Sequence, residues 1–505
     1  MREPTILDSA ISLRKTAVYL SVINIISVAL GFIFNIFLAR KYGISWEVDC
    51  LFIALLIYSF CGIFGSFVTA LLIPMFNEVK NKNEEDGYRF ADAVFKWSFF
   101  TGLVIWGIVV NYSSLVITMF ASGFDKRSVV LTAGIVKVLF IGYVFSNLIS
   151  AINGILNALY YFLAPAAMGL LNPICIVSAL FLLAPRYGVK AIAIGYVVSN
   201  VIQALLSVFY LALKSRWRPT LNIYHERLPE LLEHSSKIVI SGLIWSLRDI
   251  ISRNIASHLG SGAIAMLSYA DKVISTVSQT VISPVSNIFY SKVSGLIALA
   301  RWDEIRDLLL RTARINISIV VFIASCIIVF LKPMMGALFL NSKFSEHEIN
   351  SLYYLIGIQL FYLIILAMEN PFVKTIYGLK NIKIVMVISA AGVMLFYASS
   401  HVLAASFGIY GVALSMVVTQ LVVCALYFYF TRKYIVVRSG ILFSSLFKSV
   451  TLAILFTTAG LSISHQLDGR IPALSVWLAA WVSLYYAASR YVLKEEWNIV
   501  RNREA

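Results

Sequence analysis

Arg248, Asp249 and Arg253 lie inside an apolar segment of a chain that reads as membrane-spanning almost from end to end. A charged side chain at the bilayer centre costs roughly 2.5–3.5 kcal/mol on insertion scales. Such groups therefore face a bundle interior or a water-filled cavity rather than lipid. Two arginines and one aspartate within about two helical turns predict a polar, net-cationic cavity. A cationic cavity selects an anionic cargo. Arginine binds phosphate oxygens through charge-assisted, often bidentate hydrogen bonds, so a pyrophosphate is a fitting group.

Asp249 and Arg253 are spaced i, i+4 and can pair on one helix face, whereas Arg248 points about 100° away from Asp249. The plainer reading of all three is a salt-bridge set between helices, with no substrate contact. Lys272 follows Asp271 near the end of the next apolar segment and adds a third cation, or snorkels to the interface. Asp49 opens an apolar segment, as a helix-start acid favoured by the dipole or as a partner in an outer gate; Asp271 is open to the same two readings. Glu369 lies deep in another segment, before Asn370 and Pro371. Proline interrupts a helix and frees a carbonyl, so an acid there is placed to couple Na⁺ or H⁺, or to pair with a cation such as Lys374. Trp245 and Tyr269 could stack on sugars, although anchoring at the interface is the commoner use of such aromatics.

No P-loop, HExxH or GxSxG pattern occurs, and the histidines are scattered, so no catalytic residue and no metal site is assigned. An ATP-driven pump or a transferase is disfavoured. Cys50, Cys61, Cys175, Cys326 and Cys424 all sit in apolar runs without a CxxC spacing and read as packing residues.

Sixty per cent of the 505 residues are hydrophobic, and the mean hydropathy is +0.85. A helix needs about 20 apolar residues to cross the hydrocarbon core. About 14 spans are predicted: 16–39, 49–76, 92–112, 130–157, 161–184, 188–213, 237–258, 262–291, 310–331, 350–377, 383–405, 409–431, 444–464 and 471–493. The net charge of +16 fits basic loops held against anionic lipid, not nucleic acid. Lys and Arg favour one set of loops by about twofold, which puts both termini in the cytoplasm. The polar start, Met1 to Lys15, lacks the apolar core of a cleavable signal peptide. The longest inner connection, 214–236, is basic, contains Pro219 and Pro229, and reads as a linker. It divides the chain into a lobe of spans 1–6 (1–213), a lobe of spans 7–12 (237–432), and two appended spans with a tail (433–505). Span 1 ends Ala39-Arg-Lys-Tyr-Gly43 and span 7 ends Ala256-Ser-His-Leu-Gly260, a weak internal repeat. Parallel repeats place a substrate site between lobes.

Several short motifs occur in order along the chain. They are Ser27-x-x-Leu30-Gly31-Phe32, Ala39-Arg40-x-x-Gly43, Val48-Asp49-x-x-Phe52-x-Ala54 and Gly154-Ile-Leu-Asn157. Pro165-Ala166, Leu170-Leu171-Asn172 and Ser268-Tyr269-Ala270-Asp271-Lys272 follow. On these residues the chain resembles the MurJ/MviN family of the multidrug/oligosaccharidyl-lipid/polysaccharide exporter superfamily. The resemblance implies an all-α polytopic membrane protein of 14 helices, with two lobes around a central cavity lined by spans 1, 2, 7 and 8. It also implies transport of lipid II, the undecaprenyl-pyrophosphate-linked peptidoglycan precursor, to the outer leaflet. Related flippases carry polysaccharide repeat units on the same lipid. It supports Lys272 as a substrate contact.

The chain departs from the family pattern at charged positions. The two family arginines of span 1 read Val28 and Phe34, and the acid that follows reads Asn35. The arginine region of span 2 reads Ile57-Tyr58-Ser59-Phe60-Cys61. The Asp-x-Lys-x-Pro signature after span 10 reads Asn381-Ile-Lys383-Ile-Val, and Lys272 stands for an arginine. Lysine keeps the charge but loses the bidentate fork. The expectation is that the cationic site has moved to Arg248, Arg253 and Lys272, with Asp49, Asp249, Asp271 and Glu369 as gate or ion-coupling residues. The expected activity is alternating-access export of a polyprenyl-pyrophosphate-linked glycan, with no cofactor, driven by membrane potential, Na⁺ or H⁺. The expected partners are that lipid, bulk membrane lipid and envelope-biosynthesis enzymes. The alternatives are a drug or cation antiporter of the superfamily and a non-transport component, a scaffold or synthase, of an envelope-polysaccharide assembly complex.

Overall fold

Helix caps written in the sequence set the boundaries of the elements. The chain is seen in a computed structural model that describes residues 6–220, 223–339, 343–435, 439–464, 477 and 479–485. Among them there is no strand. The helices are α1 (Ile6–Tyr42), α2 (Trp46–Lys82), α3 (Glu84–Asn111), α4 (Ser113–Phe120), α5 (Lys126–Ala158), α6 (Leu163–Gly169), α7 (Leu171–Leu182) and α8 (Ala184–Tyr187). They continue with α9 (Lys190–Lys214), α10 (Leu228–Ser257), α11 (Ala263–Val277), α12 (Ser283–Ala298), α13 (Trp302–Phe339), α14 (Glu346–Gly378), α15 (Ile382–Arg432) and α16 (Ser439–Ser464). Asn83 caps α3 by accepting from the Glu85 and Asp86 N–H groups, and Asp125 caps α5 through Ser128. Ser345 and Glu348 form a reciprocal capping box at the start of α14.

Among the described residues, ten helices are long and apolar enough to cross a membrane. The longest, α15, contains expected spans 11 and 12, joined at Gly408, whose φ of 55° suits a residue without a Cβ. Span 5 is broken into α6 and α7. Spans 7 and 8 are α10 and the run from α11 to α12; both are more polar than the rest. Most of span 14 lies outside the described residues. Along α15 the exposed side chains include Val387, Met394 and Val402, the apolar exterior that lipid favours.

Contacts divide the chain into two compact units, Met1–Ala265 and Met266–Ala505. In the first, α5 is the hub and packs on α2, α3 and α9, while α10 lies against α2 and α4. Segment 214–236 begins in this unit with ordered contacts. Trp217 is buried against Phe95. The carboxylate of Asp92, 2% exposed, accepts from Lys96 Nζ at 2.7 Å and from the Thr220 N–H and hydroxyl at 3.1 and 2.5 Å. In the second unit α14 packs between α13 and α15, and α16 covers α13. Trp481 and Tyr485 close over Phe322 and Phe330.

Candidate functional site

In the first unit Asp49 is 3% exposed. It sits in the first turn of α2, but its carboxylate serves another helix. Oδ2 accepts from the Gly262 N–H and Oδ1 from the Ala265 N–H, both at 2.6 Å. These are free donors in the first turn of α11, so Asp49 caps that helix from a remote position in sequence. Gly262 has φ 86°, and a Cβ there would lie 2.3 Å from Ile44 Cγ2. The loop therefore closes onto Asp49 only with glycine at this position.

A cavity of about 340 Å³ adjoins the cap, lined by Trp46, Asp49, Asp125, Arg127, Ser128 and Ser257 among others. The Arg127 guanidinium lies 4.2 Å from the Trp46 ring. Asp125, in the loop before α5, accepts from the Ser128 N–H at 2.9 Å. The Ser128 hydroxyl and then its N–H hold this carboxyl below the usual carboxylate range. The loop after α4 docks on the end of α10. The Ser122 hydroxyl donates to Asn254 Oδ1 at 3.0 Å and lies 2.8 Å from His258 Nε2, while the Gly123 N–H donates to Ser257 Oγ at 2.9 Å.

Arg248, Asp249 and Arg253 occupy the C-terminal half of α10. Arg248 and Arg253 are half-buried and Asp249 is exposed. Arg253 Nη1 lies 3.2 Å from Ser252 Oγ, and each of the three takes part in further contacts. The span-2 region without arginine is filled by neutral groups. Tyr58 packs edge-on against Phe140 and Tyr143, and its hydroxyl accepts from Asn200 Nδ2 at 2.9 Å.

In the second unit, half-buried Asp271 accepts from Gln359 Nε2 at 2.7 Å. Lys272 is half-buried, and its ammonium meets no acceptor among the described residues. Glu369 is 2% exposed and accepts from Gln420 Nε2. Asn370 beside it accepts from the Ser286 hydroxyl. Proline was expected to interrupt this helix, yet α14 runs unbroken through Pro371. The ring removes the N–H that would satisfy the Ala367 carbonyl, and Asn316 Nδ2 reaches that oxygen at 3.5 Å instead. A neighbouring side chain thus lies within reach of the carbonyl that the proline leaves open.

The sequence reading passed over Asp92, Asn316, Gln359 and Gln420. Each is a polar side chain inside an apolar run, which is itself the signal that could have found it. It also missed a π-helical turn, Ser278–Ile282, between α11 and α12.

The family model described as lipid II flippase MurJ matches residues 38–475. A probable lipid II flippase MurJ of Buchnera aphidicola subsp. Schizaphis graminum is 23% identical over 390 residues, covering 75% of each chain. A second, from Buchnera aphidicola subsp. Acyrthosiphon pisum, is 24% identical over 420 residues, covering 81% of this chain and 82% of the relative. Among solved structures, a lipid II flippase MurJ in an inward closed conformation superposes with a TM-score of 0.77 at 17% identity, covering 93% of this chain and 99% of that one. An inward-facing multidrug resistance MATE transporter of the MOP superfamily gives 0.69 at 15%, with 81% and 94% covered. These two likenesses establish the transporter fold, and the match over residues 38–475 establishes the family: the chain is a multi-pass membrane protein that belongs to the lipid II flippase MurJ family.

Proposed function

We propose that this protein is a flippase that moves an undecaprenyl-pyrophosphate-linked glycan precursor, lipid II or a close relative, from the inner to the outer leaflet of the bacterial inner membrane. The observation that carries the reading is the family match across residues 38–475. The cationic pair on α10 adds the chemistry. Arg248 and Arg253 are half-buried guanidinium groups within a membrane-embedded helix, suited to pyrophosphate oxygens. Lys272 offers a further, unforked cation on the following span. The headgroup enters from the cytoplasm while the polyprenyl tail stays in lipid. No bond in the substrate is made or broken, so the protein acts as a transporter, not an enzyme.

In this account both termini are cytoplasmic, and lobes 1–213 and 237–432 rock about the site, joined by segment 214–236, with 433–505 appended. Asp49 acts as an outer latch because its carboxylate holds the first turn of span 8. Asp249 and Asp271 tune that cationic path, and Glu369 is the ion-coupling acid. Export of a headgroup of charge about −2 across an inside-negative membrane is favoured by about 2.3 kcal/mol per charge per 100 mV, so potential alone supplies a driving force.

The test is complementation in bacteria depleted of their own lipid II flippase, with membrane expression confirmed. Rescue that is lost in Arg248→Ala/Arg253→Ala supports lipid II transport through the α10 cations. No rescue despite good expression assigns the protein to a polysaccharide precursor and makes Val28 and Phe34 markers of that specificity.

A further inference from the structure

Span 8 carries more than Lys272. From its outer end inward, Lys272, Thr276, Gln279, Ser283, Asn287 and Ser291 recur every three or four residues. Gln279, Ser283, Asn287 and Ser291 are exposed, while Lys272 and Thr276 are half-buried. The opposite edge is apolar and packed: Ile282, Phe289 and Val293 are buried, and α12 lies against α13 and α14. Neither the Gln279 nor the Asn287 side chain hydrogen-bonds to any described residue. Two carboxamides left so in hydrocarbon would each carry an uncompensated polar group, so this edge faces water or a polar ligand.

The π-helical turn Ser278–Ile282 bears on the same edge. It is marked by the Ser283 N–H donating to the Ser278 carbonyl, five residues back. One inserted residue rotates everything beyond it by about 100°. With that rotation Lys272 and Ser291 fall on one line; in an unbroken α-helix Ser291 would lie about 100° away. The turn thus brings Asn287 and Ser291 under Gln279 and Lys272, while it carries Ser283 about 80° to the side. π turns of this kind are frequent at functional sites.

Below Lys272 the edge holds only neutral groups. Carboxamides and hydroxyls both donate and accept, which suits neighbouring sugar hydroxyls and suits a phosphate far less. We propose that the polar edge of span 8 binds the saccharide portion of the headgroup, with Gln279 and Asn287 as the principal contacts. The inference rests on the flippase reading and names the part of the cargo that this helix recognises. A pyrophosphate engages cations; the sugars beyond it run along the neutral edge.

The test measures binding by the full-length protein in nanodiscs to two probes, lipid II and undecaprenyl pyrophosphate, which lacks the sugars. Gln279→Leu/Asn287→Leu is expected to weaken lipid II binding about tenfold or more, the loss of two to three net hydrogen bonds, with undecaprenyl pyrophosphate binding changed less than about twofold. Gln279→Asn/Asn287→Gln, which keeps the carboxamides, is expected to restore most of the preference. If the leucine pair fails to give a monodisperse protein, Gln279→Ala/Asn287→Ala replaces it with the same expectation. Equal weakening of both probes, or no change in either, overturns the proposal. A wild-type protein that binds both probes equally overturns the saccharide edge alone; one that binds neither overturns the flippase reading.

Discussion

The carboxylate of Asp49 and the backbone N–H of Gly262 meet at 2.6 Å, with Ala265 bound to the other carboxylate oxygen at the same distance. An acid at the start of span 2 thereby supplies the cap that span 8 lacks in its own sequence. Removing the carboxylate strands two buried donors, each costing about 1–3 kcal/mol. Asp49→Ala is therefore expected to destabilise by about 2–4 kcal/mol, and Asp49→Asn, which keeps one acceptor, by less. Thermal unfolding of the purified variants checks the order; equal stability of all three would remove the cap from the account.

Gly262 tests the same contact from the other side. A methyl group there collides with Ile44, and the positive φ disfavours any side chain. Gly262→Ala should lose stability comparable to Asp49→Ala, and the double variant should lose little more than either alone, because both break one closure. Additive losses would contradict the coupling.

Asn316 and Pro371 form a second testable pair. If Asn316 serves the carbonyl that Pro371 leaves open, Asn316→Leu costs about 1–2 kcal/mol in the wild-type background. The loss shrinks in Pro371→Ala, where the backbone N–H returns. A double-mutant cycle in thermal or denaturant unfolding reads this coupling, and a zero coupling energy would show that Asn316 is held there for another reason.

The spans were legible in the sequence because hydropathy and length decide them: the predicted span 130–157 became α5, Lys126–Ala158, and 188–213 became α9, Lys190–Lys214. Breaks were less legible. Gly408 divides α15 as a gap between two expected spans, whereas α14 runs on through Pro371, where Asn316 from another helix lies 3.5 Å from the open carbonyl. Charges in apolar runs singled out Asp49, Arg248, Arg253 and Glu369. Their partners were hidden, since Gly262, Ala265 and Gln420 are distant in sequence and meet them only through packing. Neutral polar residues in spans, such as Gln279 and Asn287, carry the same signal more weakly, and only the π turn aligns them.

Segment 214–236 is fastened by Asp92, which holds Lys96 and Thr220 together. Asp92→Ala leaves a partly buried ammonium and a backbone N–H without that acceptor. Trypsin should then cleave faster after Lys214 or Arg216 than in the wild type, while the membrane-embedded core stays intact. Unchanged cleavage would show that the segment is held by other contacts, such as Trp217 against Phe95.

The most direct measurement is the leaflet exposure of lipid II in proteoliposomes containing the purified protein, with an inside-negative potential imposed and then collapsed. The account predicts outward movement that speeds with the potential and falls at least about tenfold in Arg248→Ala/Arg253→Ala, since each lost charge-assisted bond is worth about 1.5–3 kcal/mol. Flipping that is indifferent to both arginines would contradict the α10 cations as the pyrophosphate site. Absence of flipping by a well-folded protein would contradict lipid II as the cargo.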